Sequence, residues 1–397
     1  MSSAKQSRIE YLDGLRGWGA VVVFFFHLVY MFLADAEPAL APIWLNFLLD
    51  GPFAVLVFFV ISGFALSHAN LQPLSRDLQL AATARYFRLA IPILVTTFLG
   101  YCLLKAGLIV NLEVAAQTGV SPRWLGTFYD FEPSVYGSVK FALYNAFFQY
   151  YPEFSYNSSL WTIPVEFAGS LAIYAYLALF RTGDRVHWFV SVAALAVSLK
   201  IAPYIGCFFG GYLIAEAAKA FDRGRDHSRG SQWGWVIGIC AAASFYCVAL
   251  VVTFFRPDEK GNLALLCVLA IILVASVTFS NLLRKAFSCR LSRFLGRISF
   301  PLYLCHIFVI CSWSSYLFIW LPTLGWSAEW ANTINIATSF VITLLVSVLL
   351  LPIERFSVGM SKRVARVILG RTGSGDRFQH HPVEDGNGGG QSSAGKI

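Results

Sequence analysis

The chain has 397 residues, 57% of them hydrophobic and only 13% charged, with 30 Lys and Arg against 22 Asp and Glu and a formal charge of +8. A soluble domain carries about one charged residue in four, so these charges are too few to wrap the chain's apolar bulk in water, and the bilayer is the solvent that fits. The basic residues sit in short connectors between apolar runs, where membrane orientation accounts for them and nucleic acid is not implied.

Runs of about 17 to 25 apolar residues predict ten transmembrane helices, near 17–34, 51–67, 90–109, 160–180, 187–202, 203–219, 234–255, 262–280, 299–321 and 333–353. The first run outlasts the apolar core of a signal peptide and has no small-residue cleavage site, so it is expected to stay in the mature protein. Between 187 and 219, Lys200 and Pro203 interrupt a stretch that would be roughly 50 Å long as one helix, and two short helices are predicted instead. Ten spans with both termini cytoplasmic leave all Lys and Arg on the cytoplasmic side except Lys105, Arg123, Lys140, Lys200, Arg256 and Lys260. Merging the fifth and sixth spans would put the basic 219–229 loop and everything after it on the wrong face. The expected fold is therefore an all-α integral membrane bundle of about ten helices.

The longest outer connector, about 110–159, is rich in Tyr, Trp, Phe and acidic residues. Its stretch from Val139 to Tyr151 is expected to lie along the membrane interface, as a lid or acceptor surface. The chain divides into a transmembrane domain over 1–369 and a Gly- and Ser-rich tail over 370–397 that is expected to be disordered and cytoplasmic, with His380 and His381 solvated. No internal repeat or second folded domain is visible. The eight cysteines lie mostly in apolar runs without CxxC spacing or alternation with His, and read as small core residues rather than metal ligands.

Titratable groups inside hydrocarbon are costly and therefore functional candidates, with structural pairing as the competing explanation. The main ones are His27, Glu166, Glu216 and His306. Arg16 and His27 are eleven helical steps apart, roughly 16 Å along the axis and about three turns, which places an anion binder at the cytoplasmic interface below a proton acceptor near mid-membrane. A topogenic arginine and a hydrogen-bonded core histidine would give the same spacing. Glu166 falls about six residues into a span entered from the opposite face. That is roughly 9 Å below the outer boundary against roughly 14 Å for His27, so the carboxylate is placed to orient the imidazole. Pairing of Glu166 with a buried Arg is the alternative. Glu216 reads as an interfacial cap or pair, and Glu354 with Arg355 as a terminal ion pair.

In this order the motifs resemble those of the acyltransferase 3 family of membrane-bound O-acyltransferases, over roughly residues 8–356. The family's LDGLRG opening and its Arg-x10-His spacing are matched by Leu12 to Gly17 and by Arg16 with His27. Its FFVLSGF-like phrase is matched by Phe58 to Phe64, and its RxxR box before a proline by Arg85, Arg88 and Pro92. Its LWSLSVEF-like phrase is matched from Leu160 to Phe167, its SYSLYLxH phrase by Ser299 to His306 with Phe300 and Pro301 as departures, and its closing IEKPF by Ile353 to Phe356.

The resemblance implies transfer of an acyl group, usually acetyl from acetyl-CoA, to a hydroxyl of a carbohydrate, cell-envelope glycan or secondary metabolite, with no metal. A thioester attacked by an alcohol needs a base, and a positioned His suits that task. His27 is the expected base, Glu166 its orienting partner, and Arg16, Arg85 and Arg88 the ligands of the CoA phosphates. Asp13, Ser62, Trp161 and His306 are expected in support, Ser62 as a packing or hydrogen-bonding group rather than a nucleophile. A bacterial inner membrane is the expected setting. The rivals are a transporter or flippase for a lipid-linked glycan, an acyltransferase class that pairs His with a distant Asn, and a purely structural membrane protein. The Arg16/His27 spacing beside the Arg85/Arg88 box argues for the first reading.

Overall fold

The computed structural model describes residues 9–70, 77–180, 185–225, 231–255 and 259–371, and every regular element within them is helical. The tail with His380 and His381, and parts of the basic loops counted above, lie outside the described residues. We label the helices α1 (Glu10–Ala36), α2 (Gly51–Asn70), α3 (Leu78–Lys105), α4 (Asn111–Thr118), α5 (135–148), α6 (Ile163–Leu179), α7 (Arg185–Ile201), α8 (Pro203–Arg225), α9 (Ser231–Phe255), α10 (Glu259–Phe279), α11 (Asn281–Phe287), α12 (Arg290–Thr323) and α13 (Ala328–Ile368). Eight of the helices among the described residues are long and apolar enough to cross a membrane. The stretch read as two short spans is two helices, α7 and α8, separated at Ala202 by the proline that starts α8.

Helix packing at the centre depends on missing side chains. In lipid, helices gain little from apolar contact as such, so close backbone approach at small residues carries the association. At Gly14 a methyl group would strike the carbonyl of Phe287, at Gly17 the backbone of Leu295 and Gly296, and at Gly296 the carbonyl of Asp13. Gly17 and Gly296 thus bring α1 and α12 together side by side, and Gly14 seats α1 on the end of α11 and on Ser292 of α12. Trp18 Nε1 donating to Ser292 Oγ at 3.0 Å, and Arg293 reaching Glu10 at 3.5 Å, hold the N-terminal ends of the pair. The same device joins α2 to α8, where Gly63 and Gly211 each leave room for the other helix's backbone.

Two apolar clusters follow from these pairings, one around α2, α8 and α10 and one around α1 and α12. On α13, Asn335, Ser339, Thr343 and Ser347 form a buried stripe four residues apart, and Cys305 of α12 packs on its last two members. This helix of 41 residues continues through Pro352 to roughly 60 Å, twice the hydrocarbon thickness. Just beyond it, Arg371 pairs with Asp77 at the start of α3.

The structure departs from the predicted elements in two places that matter for the site. First, α3 starts at Leu78, not near residue 90, so Arg85 and Arg88 lie within a helix instead of a loop. Second, the stretch from Val139 to Tyr151 does not lie along the outer interface. Tyr86 of α3 donates to the Leu143 carbonyl at 2.6 Å, and Phe147 meets the rings of Tyr86 and Phe167 at 4.8 and 5.5 Å. Helix α5 therefore dips inward to the level of α3 and α6, and its residues Phe141, Ala142, Ala146 and Phe147 are buried there with Leu89, Ile93 and Leu304. The chain returns as irregular backbone, tolerated at depth because protein groups satisfy it. Asn157 Nδ2 donates to the Leu304 carbonyl at 2.7 Å, Tyr150 OH to Ser158 at 3.1 Å and Tyr303 OH to Ser159 at 2.8 Å.

Gly17→Val is expected to destabilise the protein by about 2 kcal/mol or more through overpacking, read as a lower melting temperature in detergent. Gly359→Ala, where a methyl group meets open space, is expected to cause no loss.

Candidate active site

The side chain that meets His27 is His306. His27 Nδ1 lies 3.1 Å from His306 Nε2, with ring centroids 5.1 Å apart, and His306 Nδ1 lies 2.8 Å from the Tyr303 carbonyl oxygen. The tautomers follow from that order. A carbonyl can only accept, so His306 carries its proton on Nδ1, and its Nε2 in the neutral ring is an acceptor. His27 must then donate from Nδ1, which leaves the lone pair on its Nε2 as the free basic position. His306 is fully buried and His27 half-buried.

Glu166 is elsewhere. Its carboxylate binds Arg85 Nη2, while Arg85 Nε donates to Ser170 Oγ at 3.1 Å, and the two charged side chains are only 12% and 14% exposed. The expectation that Glu166 orients His27 fails on depth. The irregular segment places Ser159 and Thr162 beside the Tyr303 hydroxyl, at 2.8 and 3.0 Å. Helix α6 therefore starts well inside the membrane, and the outer boundary from which the depth of Glu166 was counted is not there. Glu166 is one turn further along α6, and His306 nearly one turn from Tyr303 in the opposite direction, a separation of about 10 Å along the axes.

Three arginines stand to one side of this level, toward the starts of α1 and α3. Arg16 donates from Nε to Ser299 Oγ at 3.0 Å and from Nη2 to Asp13 at 3.1 Å. Arg88 is exposed, yet its electrostatic neighbours are Arg85 on its own helix, Arg16 on α1, Glu354 on α13 and Tyr174 on α6. Charged groups of three helices, α1, α3 and α13, therefore stand within electrostatic reach of Arg88, with the Tyr174 hydroxyl of α6 beside them. Above it on α2, Phe58 and Ser62 are half-buried in a stretch, 53–64, that is otherwise buried. Phe58 sits edge-on to Tyr303 at 6.0 Å, and the Tyr303 ring is 5.8 Å from His306. The structure thus brings together His27 with His306, Arg16 with Asp13, and Arg85 with Glu166. It leaves Trp161 apart, 39% exposed and edge-on to Tyr204 of α8.

Sequence reasoning missed three residues. Tyr303 supports His306 through its carbonyl and bonds the irregular segment through its hydroxyl; its place in the SFPLYLCH phrase was the available signal. Ser299 opens the same phrase and receives Arg16. Trp124 stacks on the His27 ring at 5.3 Å and 15°, and nothing beyond the aromatic richness of its connector pointed to it. Glu216 meets Tyr212, whose hydroxyl also contacts His187, in a buried group apart from the histidine pair. Among the described residues no cluster of three or more His, Cys, Asp or Glu forms a metal-binding group.

The acyltransferase-domain model of the acyltransferase 3 family matches residues 9–351. The O-acetyltransferase PaAT-1 of Phomopsis amygdali is 24% identical over 363 residues, which cover 75% of this chain and 71% of that protein. No solved structure matches the chain.

Removing one member of a buried ion pair strands the other, so Glu166→Ala is expected to cost about 3 kcal/mol of stability. The Arg85→Ala, Glu166→Ala double variant is expected to lose clearly less than the sum of the single losses in detergent melting curves.

Proposed function

Because the chain belongs to the acyltransferase 3 family, and is a multi-pass membrane O-acyltransferase of the kind that moves acyl groups other than aminoacyl, we propose that it transfers acetyl from acetyl-CoA to a hydroxyl at His27. Family membership also sets aside the transporter alternative. The observation that carries the reading is the His27–His306 pair standing above the space shared by Arg16, Arg85 and Arg88. The acetyl group is supported by the relative, an O-acetyltransferase. The acceptor we propose is a carbohydrate, cell-envelope glycan or secondary metabolite. The bacterial inner membrane remains the proposed setting on the sequence reading alone, since the relative is fungal.

In this mechanism the CoA phosphates sit among the three arginines. The bonds of Arg16 to Asp13 and Ser299, and of Arg85 to Glu166 and Ser170, hold each guanidinium in place while leaving further N–H donors for phosphate oxygens. The pantetheine arm then rises past Ser62, Phe58 and Tyr303 toward the histidines, about 16 Å from the level of Arg16. The acceptor oxygen attacks the thioester carbonyl as His27 Nε2 takes its proton. The tetrahedral intermediate collapses with cleavage of the C–S bond, and the same proton passes from His27 to the departing CoA sulfur. His27 ends neutral, the ester is formed and free CoA leaves. His306 accepts the Nδ1 hydrogen bond throughout, so the base keeps one tautomer and one orientation. Glu166 acts here through Arg85.

Membranes containing the protein are incubated with acetyl-labelled acetyl-CoA and an extract of sugars and metabolites. His27→Ala is expected to lower product formation at least a hundredfold; an unchanged product level in a stably expressed variant removes His27 from the mechanism. His306→Ala is expected to lower kcat by about ten- to a hundredfold with the KM for acetyl-CoA unchanged. Arg16→Ala is expected to raise that KM about tenfold through loss of a charge-assisted phosphate contact.

A further inference from the structure

The outer loop over 110–128 is tied to both histidine helices. Each of those helices widens into a π turn at its histidine, Phe26–Leu33 in α1, which contains His27, and Ile310–Ser314 in α12, one turn after His306. Such turns take carbonyls out of the regular α ladder and recur at functional sites. Both are used here. Ser121 Oγ donates to the Met31 carbonyl at 2.7 Å, and the Val110 amide donates to the Cys311 carbonyl at 2.9 Å. The loop has two further anchors. The Ser121 amide donates to Asp35 at 2.6 Å, and buried Asn111 donates from Nδ2 to the carbonyls of Leu125 and Phe128 at 2.7 and 3.0 Å.

Among the described residues, the non-glycine positions with positive φ are Ser121 at 49° and Tyr129 at 67°, one on each side of Trp124. Side chains disfavour this region, and it persists where surrounding contacts over-determine the backbone. What those contacts hold in place is the Trp124 indole. It lies nearly parallel to the His27 imidazole, at 5.3 Å and 15°, with Phe128 edge-on behind it at 5.1 Å and 89°. The hydrogen bond to His306 acts in the plane of the His27 ring, and Phe26 meets the ring edge-on at 5.0 Å and 66°, so neither supports the imidazole across its face. A flat partner on the imidazole face supplies that support.

We propose that Trp124 is a positioning residue for His27, pressed onto the imidazole by a strap that the two π turns and Asp35 latch to α1 and α12. This rests on the reading of His27 as the base. With Nδ1 held by His306 and one face covered by Trp124, Nε2 keeps one direction while a proton is gained and lost. The indole face also attracts the imidazolium that forms when His27 takes the acceptor's proton. Trp124 stacks on the His27 ring at the end of the path remote from the arginines that hold the CoA phosphates, so its contribution is expected in kcat and not in the KM for acetyl-CoA.

The test uses the full-length protein in membranes, with acetyl-CoA as donor and the same sugar-and-metabolite extract as acceptor, at matched protein levels. Trp124→Phe, which keeps a flat aromatic face, is expected to stay within about threefold of the wild-type kcat. Trp124→Leu, nearer to Phe in bulk but without a face, and Trp124→Ala are expected to fall about ten- to a hundredfold, with the KM for acetyl-CoA unchanged, as small misplacement of a catalytic group does. Asp35→Asn weakens the latch at a surface site and is expected to lower kcat several-fold in the wild-type background but not further in Trp124→Leu, since both act on one ring.

Equal activity of the Leu and Phe variants, a change confined to KM, or additive losses for Asp35→Asn and Trp124→Leu would overturn the proposal. Should the Ala variant fail to accumulate, the Phe, Leu and Asn variants still decide it. If wild-type membranes transfer no acetyl group, or His27→Ala is as active as wild type, the underlying functional reading fails instead, a result distinguishable from failure of the strap.

Discussion

The chemistry depends on two helices touching backbone to backbone. His27 and His306 can share a hydrogen bond because Gly17 and Gly296 let α1 and α12 approach without intervening side chains. In a bilayer, apolar contact between helices competes with equally apolar lipid, so the register of such a pair is set by where backbones fit and where polar groups meet. Here both criteria select the same register. Trp18 bonds Ser292 and Arg16 bonds Ser299 in the first turns of the two helices, and the two imidazoles meet further along. The orientation of the His27 ring is thus a consequence of helix packing, passed from the Tyr303 carbonyl through His306.

Charge is handled by a different rule. A guanidinium inside a membrane protein must find a carboxylate, a hydroxyl or water. Arg85 has Glu166 and Ser170, Arg16 has Asp13 and Ser299, and Arg88 has Glu354 in range with two other arginines nearby. The pairing explains why Glu166 sits well below the histidines. It is the counter-charge of an arginine that enters the membrane on α3, and a carboxylate serving that arginine is not free to serve a histidine about two turns away. Arg16 and Arg85 near Arg88 repel it, and in the proposed mechanism an anionic group among them would replace that repulsion with hydrogen bonds.

Between these two regions the backbone itself is irregular. Helix α5 and the segment after it fill the gap between α3, α6 and α12, and their polar groups are met by Tyr303, Tyr150 and Asn157. On the outer side, π turns in α1 and α12 supply carbonyls to the loop that carries Trp124. Departures from straight helices concentrate around the histidines, where backbone groups turned out of the helical ladder can bind another segment.

The all-helical membrane fold and the break at Pro203 were legible in the sequence, because hydrocarbon thickness dictates the length of an apolar run and a proline marks a helix start. The motifs also carried the family. Arg16 and His27 were found by spacing because one helix relates them, and helical rise is the same in every fold. What spacing along one helix cannot contain is which residue of another helix stands opposite. Glu166 was assigned to His27 from a depth counted inward from an assumed boundary, and the chain instead re-enters and starts α6 below it. His306 as the partner, Tyr303 behind it and Trp124 on the ring lie some 280, 276 and 97 residues along the chain from His27. Their meeting is decided by glycine contacts, π turns and a folded-in loop. These are properties of how surfaces fit together, and no linear pattern of residues encodes them.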